Sequence, residues 1–384
     1  MMAVVMPLWA LHLGASPLVI GMVISSRQVL AVTLSIHSGA LMDRIGPRRV
    51  IMVLGLIGAA LLLAYPALPF IWVLVCLQIV SGFIETANWI GAQTLVGRLL
   101  KGQAVHAGRM TAAARSGGFI GPWLAGLAWQ FQGPEGAFGM VALWVSMSVI
   151  MAFMLPDTGL AAPATETGPP PGNEPGDSKL RAADVMPKLS DYKAAFRLLV
   201  IPAVALVIAA TTVRQTGSGM QNAFYGVWLK EIGYTAGTIG FLIGLGNAVS
   251  AGAALSIGPL TRRMASHWLL LITVAVSIAA IAVTPLLEGL VVLMVAISLR
   301  GVGQGLNLPL MMSLAARSVG LDLQGRVAAL RISFNRLGSL LVPIAMGAIA
   351  ELIGLERAFY AMGGAGIVLI ALLALWVSRL RLDP

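Results

Sequence analysis

Seven ionisable residues interrupt stretches of this chain that are otherwise apolar. Six are arginines and one is a glutamate: Arg27, Glu85, Arg115, Arg214, Arg300, Arg331 and Arg336. A guanidinium stays protonated when it is buried, so an excess of arginine favours an anion or carbonyl oxygens as partners. Desolvation disfavours a charged carboxylate, which makes Glu85 the best candidate to carry a proton. This set of residues predicts binding of an organic anion together with proton transfer.

Helical spacing gathers these charges with other polar residues, because positions three or four apart share one helix face. The stripes contain, in chain order, Glu85 and Asn88; Arg214, Gln221 and Asn222; Arg300, Gln304 and Asn307; Arg331 and Asn335. We expect these residues, with Arg27, to line a water-accessible substrate site. Hydrogen bonding between helices is the alternative for the amides, and a structural ion pair with Arg27 or Arg115 is the alternative for Glu85. Arg27, Arg115 and Arg336 lie nearer to helix ends and can instead reach the headgroups.

The composition places these residues in a membrane protein. The chain is 58% hydrophobic and 10% charged, with a mean hydropathy of +0.90. Eleven long apolar stretches between residues 17 and 377 match the length of a membrane-spanning helix. A backbone in lipid must satisfy its own hydrogen bonds, which favours helices. The sequence therefore predicts an all-α polytopic membrane protein.

The net charge of +10 does not indicate nucleic-acid binding, because the basic residues fall in alternate loops rather than on one face. This positive-inside pattern places the loop at 38–50, the middle of the chain and the C-terminus in the cytoplasm. Only one cysteine, Cys76, and four histidines without ligand spacing are present, which predicts no metal site. We see no catalytic pair, cofactor motif or nucleotide-binding loop, so an enzyme is not expected.

The chain contains an internal repeat. An offset of 219 residues aligns Gly21 with Gly240, and an offset of 221 aligns Pro122 with Pro343. We predict two six-helix bundles, at residues 1–155 and 198–384, joined by a Pro/Gly-rich cytoplasmic linker at 156–197. The repeat leaves residues 1–13 too short to span a bilayer, so we expect the first of twelve helices to be truncated at its N-terminus. The alternative is an eleven-span protein with a re-entrant stub.

The segment "GALMDRIGPRR" resembles the signature between helices 2 and 3 of the major facilitator superfamily. The matching positions are Gly39, Asp43, Arg44, Gly46, Arg48 and Arg49. The resemblance implies twelve helices around a central cavity that opens alternately to each side, with this segment gating the inner side. "GGFIGPWLAG" is similar to the family's fifth-helix antiporter motif through Gly117, Gly121, Pro122 and Gly126, but Ala125 replaces a usual glycine. A packing kink is the alternative for this motif.

The resemblance and the charges together predict a secondary transporter in the inner membrane of a bacterium. We expect a monomer in the lipid bilayer that moves a small organic solute with protons and uses no cofactor. Efflux by antiport is favoured slightly over uptake of an organic anion by symport. A sensor or assembly factor that does not transport is the alternative from another class.

Overall fold

The computed structural model describes residues 1–34, 46–99, 104–155, 196–318 and 321–379, and every regular element in these ranges is a helix. The first half of the chain forms α1 (Met2–His12), α2 (Pro17–Thr33), α3 (Pro47–Ala67) and α4 (Ile71–Leu99). The helical stretch Ala104–Met154 breaks at Gly133, which has a φ of +68°, and Pro134 follows the break. Glycine tolerates this backbone and proline suits a helix start, so the stretch forms two helices, α5 (104–132) and α6 (134–154).

The second half begins with a 3₁₀ turn, Leu198–Val200, and a long helix, α7. This helix comprises Pro202–Met220, a π-helical segment Gln221–Tyr225, and Gly226–Glu231. Then follow α8 (Ala236–Leu255), a short helix (Ile257–Arg263), α9 (Ser266–Ala282), a 3₁₀ turn (Thr284–Leu286), α10 (Leu290–Ser318), α11 (Leu321–Ile353) and α12 (Leu355–Arg379). The predicted all-helical fold is confirmed. The predicted linker at 156–197 lies almost wholly outside the described residues.

The helices have the length and composition of membrane spans. Among the described residues, seven helices can cross a membrane, Ala104–Met154 counting as one, and the short helix with α9, bent by 118°, would form an eighth. Large apolar side chains cover their outer faces; Leu56, Trp72 and Val291 are examples. Such a surface is stable in lipid and not in water.

Successive helices run in opposite directions, so their connections fall at two ends of the molecule. We call the end with the turns at 13–16, 68–70, 232–235 and 287–289 the far end. The end where α6 finishes and α7 begins is the linker end. Two far-end turns that correspond in the repeat contain glycines with left-handed backbone, Gly14 at a φ of +71° and Gly233 at +95°. The equivalent turns therefore share a backbone conformation as well as the sequence repeat.

Helices α2 and α11 join the two halves of the chain at the far end. Gly21 of α2 faces the backbone carbonyl of Pro343, and Gly347 of α11 faces the carbonyl of Pro17. At both glycines a Cβ atom would overlap the opposing backbone. Glycine is required here because the two helix backbones are in direct contact.

Helices α5 and α8 make a second crossing of the same kind. Gly126 of α5 faces the carbonyl of Ala236, and Gly240 of α8 faces the carbonyl of Pro122. The offsets of 219 and 221 residues align Gly240 with Gly21 and Gly347 with Gly126. The two crossings are therefore counterparts in the internal repeat, and together they close the far end.

Candidate functional site

A cavity lies between the two halves of the chain. It holds about 630 Å³ of empty space, including its opening to solvent. Helices α1, α2 and α4 line it from the first half, and α7 and α11 line it from the second. Its polar lining consists of Arg27, Gln28, Gln78, Gln215, Asn222 and Ser339.

Arg27 supplies the positive charge of the cavity wall. It forms an ion pair with Glu85 of α4, and its side chain is 26% exposed against 62% for that of Glu85. Tyr65 lies close enough to Arg27 for the two groups to interact electrostatically. The Tyr65 hydroxyl also contacts Gln78, at 3.2 Å, and Ser81, at 2.9 Å. The sequence analysis gives an ion pair with Arg27 or Arg115 as the alternative role of Glu85. The structure contains the pair with Arg27.

A network of side chains joins α7 to α11 beside the cavity. Arg214 donates to Gln215 Oε1 at 2.8 Å and to Asn335 Oδ1. Gln215 donates to the Asn335 carbonyl at 3.0 Å and to the hydroxyl of Ser339. Arg331 also interacts electrostatically with Arg214. All the acceptors of Arg214 in this network are neutral, and within the described ranges no carboxylate lies against Arg214 or Arg331.

Arg300 of α10 is the most deeply buried arginine of the described residues, with 2% exposure. Its Nη1 donates to Gln304 Oε1 at 2.8 Å, whereas its Nε has no hydrogen-bond partner in the described part of the chain. Electrostatic interactions connect Arg300 with Arg214 and with Tyr225. The Tyr225 hydroxyl is likewise buried and lacks a described partner. A buried cation with unused donors is costly to maintain unless an acceptor can reach it.

The remaining predicted amides fall into two groups. Asn222 lines the cavity, whereas Gln221, at 5% exposure, and Asn307, at 1%, are buried. Asn307 Oδ1 accepts a hydrogen bond from Thr273 at 2.8 Å, and its Nδ2 has no partner among the described residues. Asn88 Oδ1 is also buried without a described partner. Asn307 thus makes a hydrogen bond between α9 and α10. Hydrogen bonding between helices is the alternative to substrate binding that we expect for the amides.

Arg115 and Arg336, two of the arginines expected near headgroups, reach across the boundary between the two halves. Arg336 approaches Gln28 Oε1 at 3.5 Å, and Arg115 approaches Ser250 Oγ at 3.5 Å. Arg27 lines the cavity instead. The two arginines that make these contacts correspond to each other at the offset of 221.

The segment predicted to gate the inner side is described only in part. Gly39, Asp43 and Arg44 lie outside the described residues. Gly46, with a φ of +91°, precedes the first residue of α3. Arg48 donates to the carbonyls of Ala152, at 3.0 Å, and Phe153, at 2.6 Å, and Arg49 is exposed at the surface. Arg48 therefore caps the end of α6, since unsatisfied carbonyls attract a cation there.

The α5 motif lies at the contact between the two halves. Pro122 and Gly126 belong to the crossing with α8, and a Cβ on Gly121 would lie 3.1 Å from the Met1 side chain. Gly117 has open space around it. These contacts correspond to the packing role considered for the motif.

Four residues of the site were not predicted from the sequence: Gln28, Tyr65, Gln215 and Tyr225. Tyr65 and Tyr225 are tyrosines in apolar helices, a pattern typical of interfacial anchors. Gln215 is a neighbour of Arg214 in the chain and was not assigned to a polar stripe. A π-helical segment places Tyr225, and no sequence signal marks it; such segments occur often at functional sites.

The apolar helices, the duplicated crossings and the polar cavity define an all-α membrane protein built from two related halves. The sequence profile of the Major Facilitator Superfamily matches residues 1–330 and 207–384. The chain belongs to this family of membrane transporters, as its motifs predicted. No curated protein matches the sequence.

Solved structures of three transporters share this fold. The nucleoside transporter NupG superposes with a TM-score of 0.78 at 14% identity, covering 97% of this chain and 94% of that one. A bacterial homologue of the human lysosomal transporter Spinster, inward-facing and occupied, gives 0.74 at 14% identity, covering 98% and 92%. A POT family transporter in complex with 5-aminolevulinic acid gives 0.72 at 13% identity, covering 99% and 93%. At these identities the comparison establishes the fold alone.

Proposed function

We propose that this protein is a proton-coupled secondary transporter of small organic anions, with a carboxylate as the recognised group. The observation that carries the proposal is the charge of the region between the two halves. Among the described residues, Arg214 and Arg300 near the cavity donate to neutral side chains, whereas Arg27, which lines the cavity, pairs with Glu85. A carboxylate entering the cavity would supply the missing negative charge and accept from these donors.

Arg27 and Glu85 provide a means of coupling in this proposal. A substrate carboxylate that binds Arg27 competes with Glu85 for the same guanidinium. Once displaced, Glu85 loses its partner, and a carboxylate without a cation binds a proton more readily. The anion and the proton then occupy the site together, which supports symport.

Proton-driven efflux is the second candidate, and the α5 motif favours it. Pro122 and Gly126 lie in the crossing that closes the far end. The α5 motif therefore lies at a contact that must separate before the cavity can open to the outside. In this case the proton enters from outside when the solute leaves, and Glu85 again carries it.

The remaining features are assigned as follows. The linker end faces the cytoplasm of a bacterium, as the distribution of arginine predicts. Residues 1–155 and 198–384 move as two bundles connected by the segment at 156–197, and the protein works as a monomer. Asp43 and its neighbouring arginines gate the linker end.

Flux measurements in proteoliposomes test the proposal. Small carboxylates such as succinate and lactate are compared with their uncharged amides, with and without an imposed pH gradient. We expect uptake of at least one acid and no uptake of its amide, because only the acid can neutralise the arginines. Glu85→Gln should abolish accumulation driven by the pH gradient but preserve exchange of labelled for unlabelled solute, since exchange needs no net proton movement.

Glu135→Gln is the matched control, because it changes a glutamate in the first turn of α6, outside the cavity lining, and should leave accumulation unchanged. Equal transport of acid and amide would refute recognition of a carboxylate. Gradient-driven accumulation by Glu85→Gln would refute its role as proton carrier. No flux of any solute by folded protein would favour the sensor or assembly factor.

A further inference from the structure

One carboxylate connects the two halves of the chain at the far end. Glu351, near the C-terminus of α11, accepts a hydrogen bond from the backbone N–H of Leu18 through Oε2, at 3.1 Å. Leu18 is the second residue of α2, and the preceding Pro17 has no N–H. Ser16, the residue before the helix, makes no side-chain capping bond. Glu351 thus caps a helix of the other half, where a negative charge is favourable.

The position of this cap is fixed by the close helix crossing beside it. Gly347 lies one turn before Glu351 and contacts the backbone of Pro17. Separation of α2 from α11 at this point would break the contact between Glu351 and Leu18. The hydrogen bond can therefore exist only while the far end is closed at this crossing.

The corresponding position in the first half is occupied by a neutral residue. The offset of 221 aligns Glu351 with Gln130 of α5, and the offset of 219 aligns Leu18 with Gly237 of α8. Gln130 Oε1 lies beside Gly237, 2.7 Å from the position that a Cβ would take. The side chain of Thr235 caps α8 by accepting from the Thr238 N–H at 3.3 Å. Only one of the two equivalent crossings therefore has an ionisable group at this position.

We propose that Glu351 is a proton-sensitive latch that holds the far end closed through the N-terminus of α2. When Glu351 is ionised, its charge and its hydrogen bond favour the closed state. Protonation removes the charge and weakens the bond, so acid on the far side favours opening. The neutral Gln130 gives the other crossing no titrating side chain at the equivalent position. This mechanism does not depend on the identity of the solute.

Other ionisable groups lie at this end of the neighbouring elements. They are His12 at the end of α1, Lys230 and Glu231 at the end of α7, Glu288 in the turn before α10, and Glu356 and Arg357 in the first turn of α12. Glu356 already accepts a hydrogen bond from Tyr360 at 3.1 Å within its own helix. The first turn of α2 carries no charged side chain. Because other groups titrate nearby, the test must isolate Glu351 by substitution.

The distance between the halves at the far end can be followed with spin labels. Leu68 and Leu286 are exposed far-end residues in different halves and lie outside the latch, so each is replaced by Cys in a Cys76→Ser background. Electron–electron resonance distances are recorded in lipid nanodiscs from about pH 7 to about pH 4. We expect acid to raise the ratio of open to closed protein about two- to fivefold, the usual effect of a carboxylate at a helix N-terminus.

Two substitutions that exchange Glu and Gln, which are of similar size, test whether Glu351 is responsible for the acid response. Glu351→Gln should show the raised ratio already at neutral pH and lose the acid response. Gln130→Glu should lower the ratio at neutral pH and enlarge the acid response, because it adds a second latch. Glu356→Gln should behave like the parent protein. Thermal unfolding of each variant establishes that it is folded.

The latch is refuted by any of three results. These are no acid-dependent change in the parent protein, a full acid response in Glu351→Gln, or an unchanged response in Gln130→Glu. Loss of the response in Glu356→Gln would assign it to α12 instead. None of these outcomes depends on transport, so the latch and the proposed function can fail independently.

Discussion

The crossing of α2 and α11 makes a quantitative prediction for Gly21→Ala. The new Cβ would lie 2.9 Å from the Pro343 carbonyl carbon and 3.3 Å from Ile344 Cα, whereas ordinary contacts begin at 3.4 Å. The Cβ would lie closer still to the Pro343 carbonyl oxygen, so the helices must separate by about 1 Å, and a gap of this size removes about half of each local dispersion contact. Overpacking of this kind costs about 1–3 kcal/mol. The open state has no such overlap and is not penalised.

This cost should appear as a change in the ratio of open to closed protein. A destabilisation of about 1–3 kcal/mol corresponds to an increase of about five- to 150-fold. The reporter is Asn222→Cys in the Cys76→Ser background, since Asn222 lines the cavity. We expect an impermeant maleimide added to intact cells to label this cysteine faster in Gly21→Ala than in the parent.

Gly252→Ala is the control, because Gly252 is also inside a helix but has no atom within 4 Å of its Cβ position. Alanine stabilises a helix by about 1 kcal/mol relative to glycine, so this variant should unfold at the same temperature as the parent or higher. It should not change the labelling rate. Equal labelling rates in Gly21→Ala and Gly252→Ala would refute the account of the crossing.

Three further predictions concern side chains of the second half and the cap of α6. Arg48→Met should lower the free energy of unfolding by about 1–2 kcal/mol, measured by thermal unfolding, because the carbonyls at the end of α6 lose a cationic cap. Arg214→Gln and Asn335→Ala should show a coupling energy of about 1.5–3 kcal/mol in a double-mutant cycle of unfolding, as expected for a hydrogen bond to a charged group; additive effects would contradict this. Tyr225→Phe should leave the stability of solute-free protein unchanged or raised, because the lost hydroxyl has no described partner, and a loss above about 1 kcal/mol would reveal one.

The membrane fold and the repeat were accessible from the sequence because both depend on patterns that are regular along the chain. Apolar length predicts spanning helices, and a constant offset aligns Gly21 with Gly240 without knowledge of their contacts. The same reasoning could not assign their role. A glycine in an apolar helix does not reveal which backbone it faces, so closure at the far end becomes visible only when α2 and α11 are placed together.

The charged residues were identified from the sequence, but their partners were not. Glu85 had two candidate arginines, and only the packing of α2 against α4 selects Arg27. Arg115 and Arg336 matched side chains that reach for headgroups, whereas each contacts the opposite half. Helical periodicity gives the direction of a side chain relative to its own helix, and the identity of the neighbour requires the fold.

The glycine crossings also affect how easily the far end can open. At Gly21, Gly126, Gly240 and Gly347 the nearest opposing atoms belong to the main chain. Parting such surfaces requires no rotamer to change, so resistance grows gradually with separation instead of as one large step. A seal made in this way can be tight against ions and still exchange rapidly, which is the combination that a carrier working over many cycles requires.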